Sequence, residues 1–282
     1  MTTHAGPVVP TAVFFPPTAV GTAHALVLAP VTPGWDGGAF FTPVIRTLVG
    51  AGLRVTVADT LALWDEEVTT LAGLAARWRE VLPTFGPVDL LCGNALGGAV
   101  AQALLPDADP ATAALLVSGP ARSDAVLDGR LGEIADLAAA GRPAAALDLL
   151  HRRVLPDGRL PDGRLDGRLL DGRLGGRLPD GAPGAGAGAA QAAEPDAEAG
   201  RRLAGGLRLL RGIDLTDAVR AHPGPLLQIV GGRSQLVTRR HTAAAPHHLV
   251  HVAPRAGMRP HFDQAAEVSA LVEALLHEKG LR

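Results

Sequence analysis

The segment that decides the fold is "LLCGNALGGAV", residues 90–100, in which an apolar run enters a tight glycine-rich turn. Gly93, Gly97 and Gly98 are the small residues that a sharp turn from strand to helix requires, because a Cβ atom there would collide with the neighbouring strand or helix. The residue at the apex is Ala95, whose methyl group has no lone pair. The spacings typical of phosphate-binding loops, G-x-G-x-x-G and G-x-x-x-x-G-K-[ST], are absent.

Strand-like and helix-like segments alternate on both sides of this turn. Short, mostly apolar segments typical of buried parallel strands occupy residues 24–30, 53–59, 88–93, 225–232 and 247–254. Apolar residues at helical spacing occupy residues 40–52, 66–82, the segment after Gly98, and 265–280. Because short connections join these segments, the order predicts an α/β fold with a mostly parallel, doubly wound sheet.

A different kind of segment separates the two halves of this predicted sheet. The predicted organisation is a first core part at 1–122, a helical cap at 123–220 and a second core part at 221–282. Within the cap, Asp-Gly-Arg-Leu occurs four times between residues 157 and 174, with irregular spacing that does not fit a solenoid repeat. The segment has few large side chains to bury, so residues 156–200 are predicted to be a disordered low-complexity insertion.

Composition excludes several classes of partner. A net charge of −2 predicts no field strong enough to hold nucleic acid or an anionic membrane. No uninterrupted apolar run approaches the length of a membrane span, and the first twenty residues, which lack Lys and Arg, do not read as a signal peptide. Cys92 is the only cysteine, which fits a reducing cytoplasm, and its place in a strand predicts a buried, inert thiol. The sequence does not predict the oligomeric state.

The turn at Ala95 resembles the nucleophile elbow of the α/β-hydrolase superfamily, G-x-S-x-G, in which a serine attacks a carbonyl carbon. The stretch "PLLQIVGGRSQLV" (225–237) looks like the strand and turn that carry the acid of that family, and the match places Ser234 at the acid position. The stretch "APRAGMRPHFDQAAEV" (253–268) is similar to the late loop that carries the catalytic histidine, and the match places Met258 there. The resemblance therefore implies a hydrolase fold in which all three catalytic positions have changed.

Asp124 and His261 are two further candidates for catalytic residues. Asp124 follows "LLVSGPARSD" (115–124), near the strand end from which some family members take their acid. His261 matches the second histidine of the late loop, which in the family more often packs or hydrogen-bonds near the next helix.

The resemblance also implies a small pocket beside the turn. Backbone N–H groups of Leu96 and of Val31 or Thr32 correspond to the family's oxyanion-binding donors. The predicted lining residues are Asn94, Trp35 and Asp36, above a floor formed at the former catalytic positions by Ala95, Ser234 and Met258.

Three hypotheses follow for the function. The first is a cyclase, a pericyclic catalyst or a lyase-type tailoring enzyme of bacterial natural-product biosynthesis, which holds a small apolar substrate in a shaped cavity without a cofactor or metal. The second is a pseudoenzyme that binds an apolar small molecule and performs no chemistry. The third is a divergent hydrolase that uses His261 and Asp124. No feature of the sequence separates the first two.

Overall fold

The computed structural model describes residues 10–17, 23–156 and 194–281 of the chain. Most of the predicted insertion at 156–200 lies outside these ranges. Residues 194–200, which the sequence assigns to the insertion, are instead the first part of a helix. Within the described ranges, no helix is both long enough and apolar enough to cross a membrane.

The described residues form strands and helices that alternate along most of the chain. The strands are Ala12–Phe15 (β1), His24–Leu28 (β2), Arg54–Ala58 (β3), Leu90–Asn94 (β4), Ala113–Val117 (β5), Leu226–Gly231 (β6) and Leu249–Ala253 (β7). The helices are Thr42–Gly50 (α1), Leu71–Val81 (α2), Leu96–Leu104 (α3), Ala125–Ala139 (α4), Pro143–Val154 (α5), Glu194–Arg208 (α6), Thr216–Ala221 (α7), Pro260–Asp263 (α8) and Ala265–Glu278 (α9).

The strands of the described residues form one seven-stranded sheet in the order β1-β3-β2-β4-β5-β6-β7. Only the pairing of β1 with β3 is antiparallel, and the remaining pairs are parallel. The predicted mostly parallel, doubly wound sheet is therefore confirmed. The strand order reverses between β2 and β4, and the crevice beyond the carboxyl ends of two such strands is where open α/β sheets bind ligands.

Both faces of the sheet are covered, so the central strands are buried on both sides. In β2, Leu26 and Leu28 belong to the core on the face of α2 and α3, whereas Ala25 and Val27 belong to the core on the face of α1 and α9. This arrangement explains why the strands read as continuous apolar runs rather than as alternating patterns. Helices α4, α5 and α6, which we call the cap helices, occur between β5 and β6 and pack on one another.

Local interactions move two helix starts from their predicted positions. Helix α2 begins at Leu71 rather than near residue 66, because the Thr70 hydroxyl accepts a hydrogen bond from the Gly73 N–H at 3.1 Å and so caps the helix. Helix α3 begins at Leu96, directly after the turn, rather than after Gly98. Strand β1, an edge strand, is not foreseen by the sequence analysis.

The turn at Ala95 has the strained geometry that its glycines predict. Ala95 adopts φ 48° and ψ −112°, a left-handed conformation that side-chain-bearing residues rarely adopt. A Cβ atom on Gly97 would lie 2.0 Å from the Leu28 carbonyl oxygen, and one on Gly98 would lie 2.7 Å from the Gly119 Cα. The glycines therefore allow α3 to start directly against the backbone of β2 and of the chain after β5.

This contact predicts a large difference between two glycine substitutions. Gly97→Ala should destabilise the protein by about 3 kcal/mol or more, since the new methyl group meets a backbone oxygen that cannot move without shifting β2. The free energy of unfolding from urea titration measures the effect.

Gly129→Ala is the matched control for this substitution. Gly129 lies in the middle of α4, is exposed and has open space where a Cβ would be. Alanine there should stabilise the protein by about 0.5–1 kcal/mol. Equal effects of the two substitutions would contradict the tight-turn geometry.

Candidate functional site

A cavity of about 60 Å³ lies over the turn, and we call it the Ala95 cavity. Asn94, Ala95 and Leu96 line it from the turn, and Pro30 and Val31 line it from the loop after β2. These two chain segments follow β4 and β2, so the cavity lies at the reversal of strand order in the sheet. The position agrees with the ligand-binding crevice that this topology predicts.

The roof of the Ala95 cavity comes from aliphatic side chains of the cap helices and the turn after α6. These residues are Leu127, Leu131, Leu150, Val154, Leu207 and Leu210. They leave a cavity well below the roughly 300 Å³ that a small-molecule site usually needs. In this arrangement, in which Ala95 is half-buried, the cavity accommodates only a small group.

Within the part of the chain that the structure describes, the lining contains no side chain that could act as an acid, a base or a nucleophile. Its most polar side chain is that of Asn94, which is buried and donates from Nδ2 to the Val117 carbonyl oxygen at 2.9 Å. Every other lining residue is a proline, an aliphatic residue, a phenylalanine or Met258. The side chains of the cavity can therefore exclude water and hold an apolar group, but they cannot transfer a proton.

Leu96 and Val31 line the Ala95 cavity, and each of them carries a backbone N–H group. Leu96 is the first residue of α3, where helical N–H groups have no partner within the helix. Neither the Leu96 nor the Val31 N–H has a hydrogen-bond partner among the described residues. Thr32, the alternative donor, is not among the lining residues, and its carbonyl oxygen accepts a hydrogen bond from Arg202 at 3.0 Å.

Met258, which the sequence comparison matches to the family histidine, lines the cavity. Its thioether sulfur accepts a hydrogen bond from the Val237 N–H at 3.3 Å, and its own N–H donates to the Val154 carbonyl oxygen at 2.9 Å. Met258 thus joins the loop after β6 to the end of α5.

Ser234 is not among the lining residues, although the sequence analysis places it at the cavity floor. Its hydroxyl accepts a hydrogen bond from the Leu236 N–H at 3.3 Å within its own turn. The loop after β6 presents Leu236 and Val237 to the cavity instead.

His261 also lies outside the cavity lining, behind Phe40. It is completely buried, and its Nε2–H donates to the Phe40 carbonyl oxygen at 3.0 Å. Its ring packs against Phe40 and Phe41, with centroids 5.4 Å and 5.1 Å away. Burial lowers the pKa of His261 to about 3, so the ring is neutral near pH 7. This is the packing and hydrogen-bonding position that the sequence analysis leaves open.

Asp124 caps a helix rather than facing the cavity. Its Oδ1 accepts hydrogen bonds from the Val126 and Leu127 N–H groups at 3.0 and 2.8 Å, at the start of α4. Its Oδ2 lies 3.1 Å from His241 Nε2 and 3.0 Å from Arg240 Nε. The hydrogen bond from Leu127, followed by that from His241, lowers the pKa of Asp124.

The structure therefore does not bring Asp124 and His261 together. The carboxylate of Asp124 pairs with His241 at the base of the cap, whereas His261 is bonded to Phe40. Neither side chain is among the residues that line the Ala95 cavity.

Trp35 and Asp36, which are predicted to line the pocket, lie in the loop before α1 and are not among the lining residues. Asp36 accepts hydrogen bonds from the Gly38 and Phe40 N–H groups at 2.8 and 2.9 Å. Trp35 packs against the core on the face of α1 and α9. The leucines of the roof line the cavity instead, and their only signal in the sequence is the apolar spacing of the cap helices.

Several solved structures, among them an α/β hydrolase and two bromoperoxidases, superpose on most of this chain. No protein-family model matches the chain, and no curated relative matches its sequence. MGS-M2, an alpha/beta hydrolase enzyme from a deep-sea metagenome library, superposes with a TM-score of 0.71 at 10% identity, over 95% of this chain and 94% of that one. A bromoperoxidase from Bacillus anthracis superposes with a TM-score of 0.68 at 15% identity, over 94% of each chain.

A third similar structure is BpoC, a putative non-heme bromoperoxidase from Mycobacterium tuberculosis. It superposes with a TM-score of 0.65 at 15% identity and covers 99% of both chains. The chain therefore has the α/β-hydrolase fold. At these identities the similarity shows the fold and not the activity.

The placement of His261 predicts a specific pH dependence. Because its folded pKa lies below the unfolded value of 6.5, the unfolded chain takes up a proton between about pH 6.5 and pH 3 that the folded chain does not. Stability should fall as the pH falls through this range, by up to about 1.4 kcal/mol per pH unit from this residue, and should be unaffected by it above pH 7.

NMR titration of the imidazole checks this prediction directly. The His261 ring signals should stay those of a neutral ring down to pH 5 while the protein remains folded. A His261→Asn variant should show a shallower loss of stability between pH 6.5 and 5 than the unchanged protein. A titration midpoint of His261 near pH 6 would contradict the buried placement.

Proposed function

We propose that this protein binds a small apolar molecule, or the apolar end of a larger one, in the Ala95 cavity and carries out no serine-hydrolase chemistry. The observation that carries the proposal is the cavity lining. Among the described residues it contains no titratable or nucleophilic side chain, and the backbone N–H groups of Val31 and Leu96 have no hydrogen-bond partner there. An apolar wall with few polar groups is the usual construction of a site that recognises an apolar ligand.

Acyl transfer needs a nucleophile, a base and a group that orients the base. Ala95 has no nucleophilic atom, and the thioether of Met258 cannot take up a proton near neutral pH. Ser234 bonds to its own turn and carries no charge that could support an imidazolium. These three features support the proposal that the catalytic triad is lost.

The same lining argues against the other enzymatic hypotheses. A lyase needs a general base within hydrogen-bond reach of the proton that it removes, and the lining has none. Hydrolysis by His261 and Asp124 would need two groups that the structure holds apart.

A cyclase needs only a cavity that fixes one substrate conformation, so the lining alone permits it. The closed cavity, however, is smaller than the roughly 150 Å³ that accommodates benzene in a protein core. A cyclisable substrate would need the cap helices to part and to stay apart during turnover. Binding is therefore the function that this geometry supports best.

The size of the Ala95 cavity limits what a ligand can gain in the closed form. Each buried methylene group contributes about 0.8 kcal/mol, so a group of two or three carbons gains only about 2 kcal/mol. A ligand oxygen that accepts hydrogen bonds from the Val31 and Leu96 N–H groups would add about 1 kcal/mol each. Useful affinity consequently requires either a longer ligand that displaces part of the roof or a wider opening.

The first functional prediction is the absence of covalent hydrolase chemistry. A fluorophosphonate probe should not label the protein, and p-nitrophenyl esters should hydrolyse no faster than in buffer. Ala95→Ser alone should restore little activity, since Met258 offers no base beside the new hydroxyl. Intact-mass spectrometry and absorbance assays measure both outcomes, and stoichiometric labelling of the unchanged protein would overturn the proposal.

The second functional prediction uses Met258 as a reporter of binding. The chain has two methionines, so a spectrum of methyl-labelled methionine contains one signal from the cavity. Short neutral alcohols such as 1-butanol should shift the Met258 methyl signal. Leu210→Ala should strengthen this binding about tenfold or more by enlarging the cavity, and Ala95→Phe should abolish it by filling the floor.

The other methionine, Met1, is the internal control for non-specific solvent effects. If the Met258 signal does not respond to any apolar probe, in either the unchanged protein or Leu210→Ala, the Ala95 cavity is not a binding site.

A further inference from the structure

A buried ion pair connects cap helix α6 to the chain directly after β3, at the carboxyl end of the strands. The Arg202 side chain, 13% exposed, pairs through Nη2 with Oδ1 of Asp59, whose side chain is 6% exposed. The Nε–H of Arg202 also donates to the Thr32 carbonyl oxygen at 3.0 Å. One guanidinium therefore holds two chain segments, the one after β3 and the one after β2.

Both segments directly follow strands, so they lie at the carboxyl ends of β3 and β2. Asp59 directly follows β3, and its Oδ1 also accepts a hydrogen bond from the Leu61 N–H at 3.1 Å. Thr60 donates from its hydroxyl to the Ala29 carbonyl oxygen at 2.6 Å, next to the loop that carries Val31. Arg202 thus holds the cap against the loop whose Val31 lines the Ala95 cavity.

The next turn of α6 makes an unusually close contact with the same loop. A Cβ atom on Gly206 would lie 2.6 Å from a methyl group of Val31, and one on Gly205 would lie 2.1 Å from the Trp64 ring. Leu207 follows directly and belongs to the roof of the cavity. A movement of α6 would therefore displace part of the roof and the Val31 loop together.

A buried ion pair suits a contact that must open and close. Desolvation of the two charges offsets most of their attraction, so moving both into water together has a modest net cost. Removing one partner alone is far more damaging, because the other charge stays buried without compensation. The neighbouring pair of Arg201 with Glu198 is different, since it is exposed and lies within α6.

We propose that the Arg202–Asp59 pair is a latch that holds α6 closed over the Ala95 cavity, so that a ligand enters only when the pair separates. In this scheme Arg202 is a positioning residue: it fixes the roof and the Val31 loop together and touches no ligand. The proposal deepens the proposed function by naming what controls access to the site. It is tested without a ligand, so the two can fail separately.

The test measures how fast a reagent reaches the cavity floor. Ala95→Cys places a thiol there, and N-ethylmaleimide is larger than the cavity of about 60 Å³. Cys92 is the internal reference, because it is completely buried in β4 and burial raises the pKa of its thiol. Mass spectrometry of peptides separates the two sites and gives a modification rate for each.

Three variants are compared in the Ala95→Cys background. Arg202→Met removes the latch. The double variant Arg202→Met with Asp59→Asn also removes it but leaves no unpaired charge buried, which keeps the test valid if the single variant does not fold. Arg201→Met, one residue away, removes the exposed pair of the same helix and is the matched control.

The latch predicts that both variants lacking Arg202 modify the introduced thiol at least tenfold faster, while Arg201→Met leaves the rate unchanged. Cys92 should remain unmodified in all of them. The proposal is wrong if loss of Arg202 leaves the rate at the cavity floor unchanged. It is equally wrong if Cys92 becomes reactive in parallel, since the whole domain would then be opening.

Discussion

The contact between the Gly97 backbone and the end of β2 is the constraint on which the rest of this structure depends. It places the start of α3 against the Leu28 carbonyl oxygen and holds Ala95 at φ 48°. A residue in such a conformation costs on the order of 1–3 kcal/mol and persists only where its surroundings enforce it. Here the Ala95 N–H donates to the Val117 carbonyl oxygen at 3.1 Å, which links the turn to β5. The turn is strained although the side chain at its apex is only a methyl group.

The geometry of this turn shows why the fold could be predicted from the sequence and much of the site could not. Local sterics require glycines in a tight turn, and burial requires apolar runs of strand length. Both requirements can be recognised from the residues near each position in the sequence. The directions of Ser234, Trp35 and Asp36 depend on hydrogen bonds within their own loops. Matching a loop to a family pattern locates its backbone, but it does not fix where each side chain points.

The roles of Asp124 and His261 are set by partners far away in the chain. Asp124 is held by His241, and His261 by a carbonyl oxygen of Phe40. The same limit applies to the latch, because Arg202 and Asp59 are separated by more than half of the chain and lie in unrelated patterns. For the roof, the sequence shows that the cap is helical but not that six aliphatic side chains meet over Ala95. Such convergence is a property of the packed structure.

A ligand that enters this apolar cavity would have to displace contacts between the leucines that hold the cap helices together. The side chains that would contact a ligand already contact one another, so the closed form gains stability as a core does. A ligand larger than the cavity therefore binds only the fraction of molecules in which the cap is open, and its apparent dissociation constant is the intrinsic one divided by that fraction. If about 1% of molecules are open, affinity is about 100-fold weaker than the contacts alone would give. Under the proposed function, the strength of the contact between α6 and the chain after β3 would thus limit affinity as much as the chemistry of the lining does.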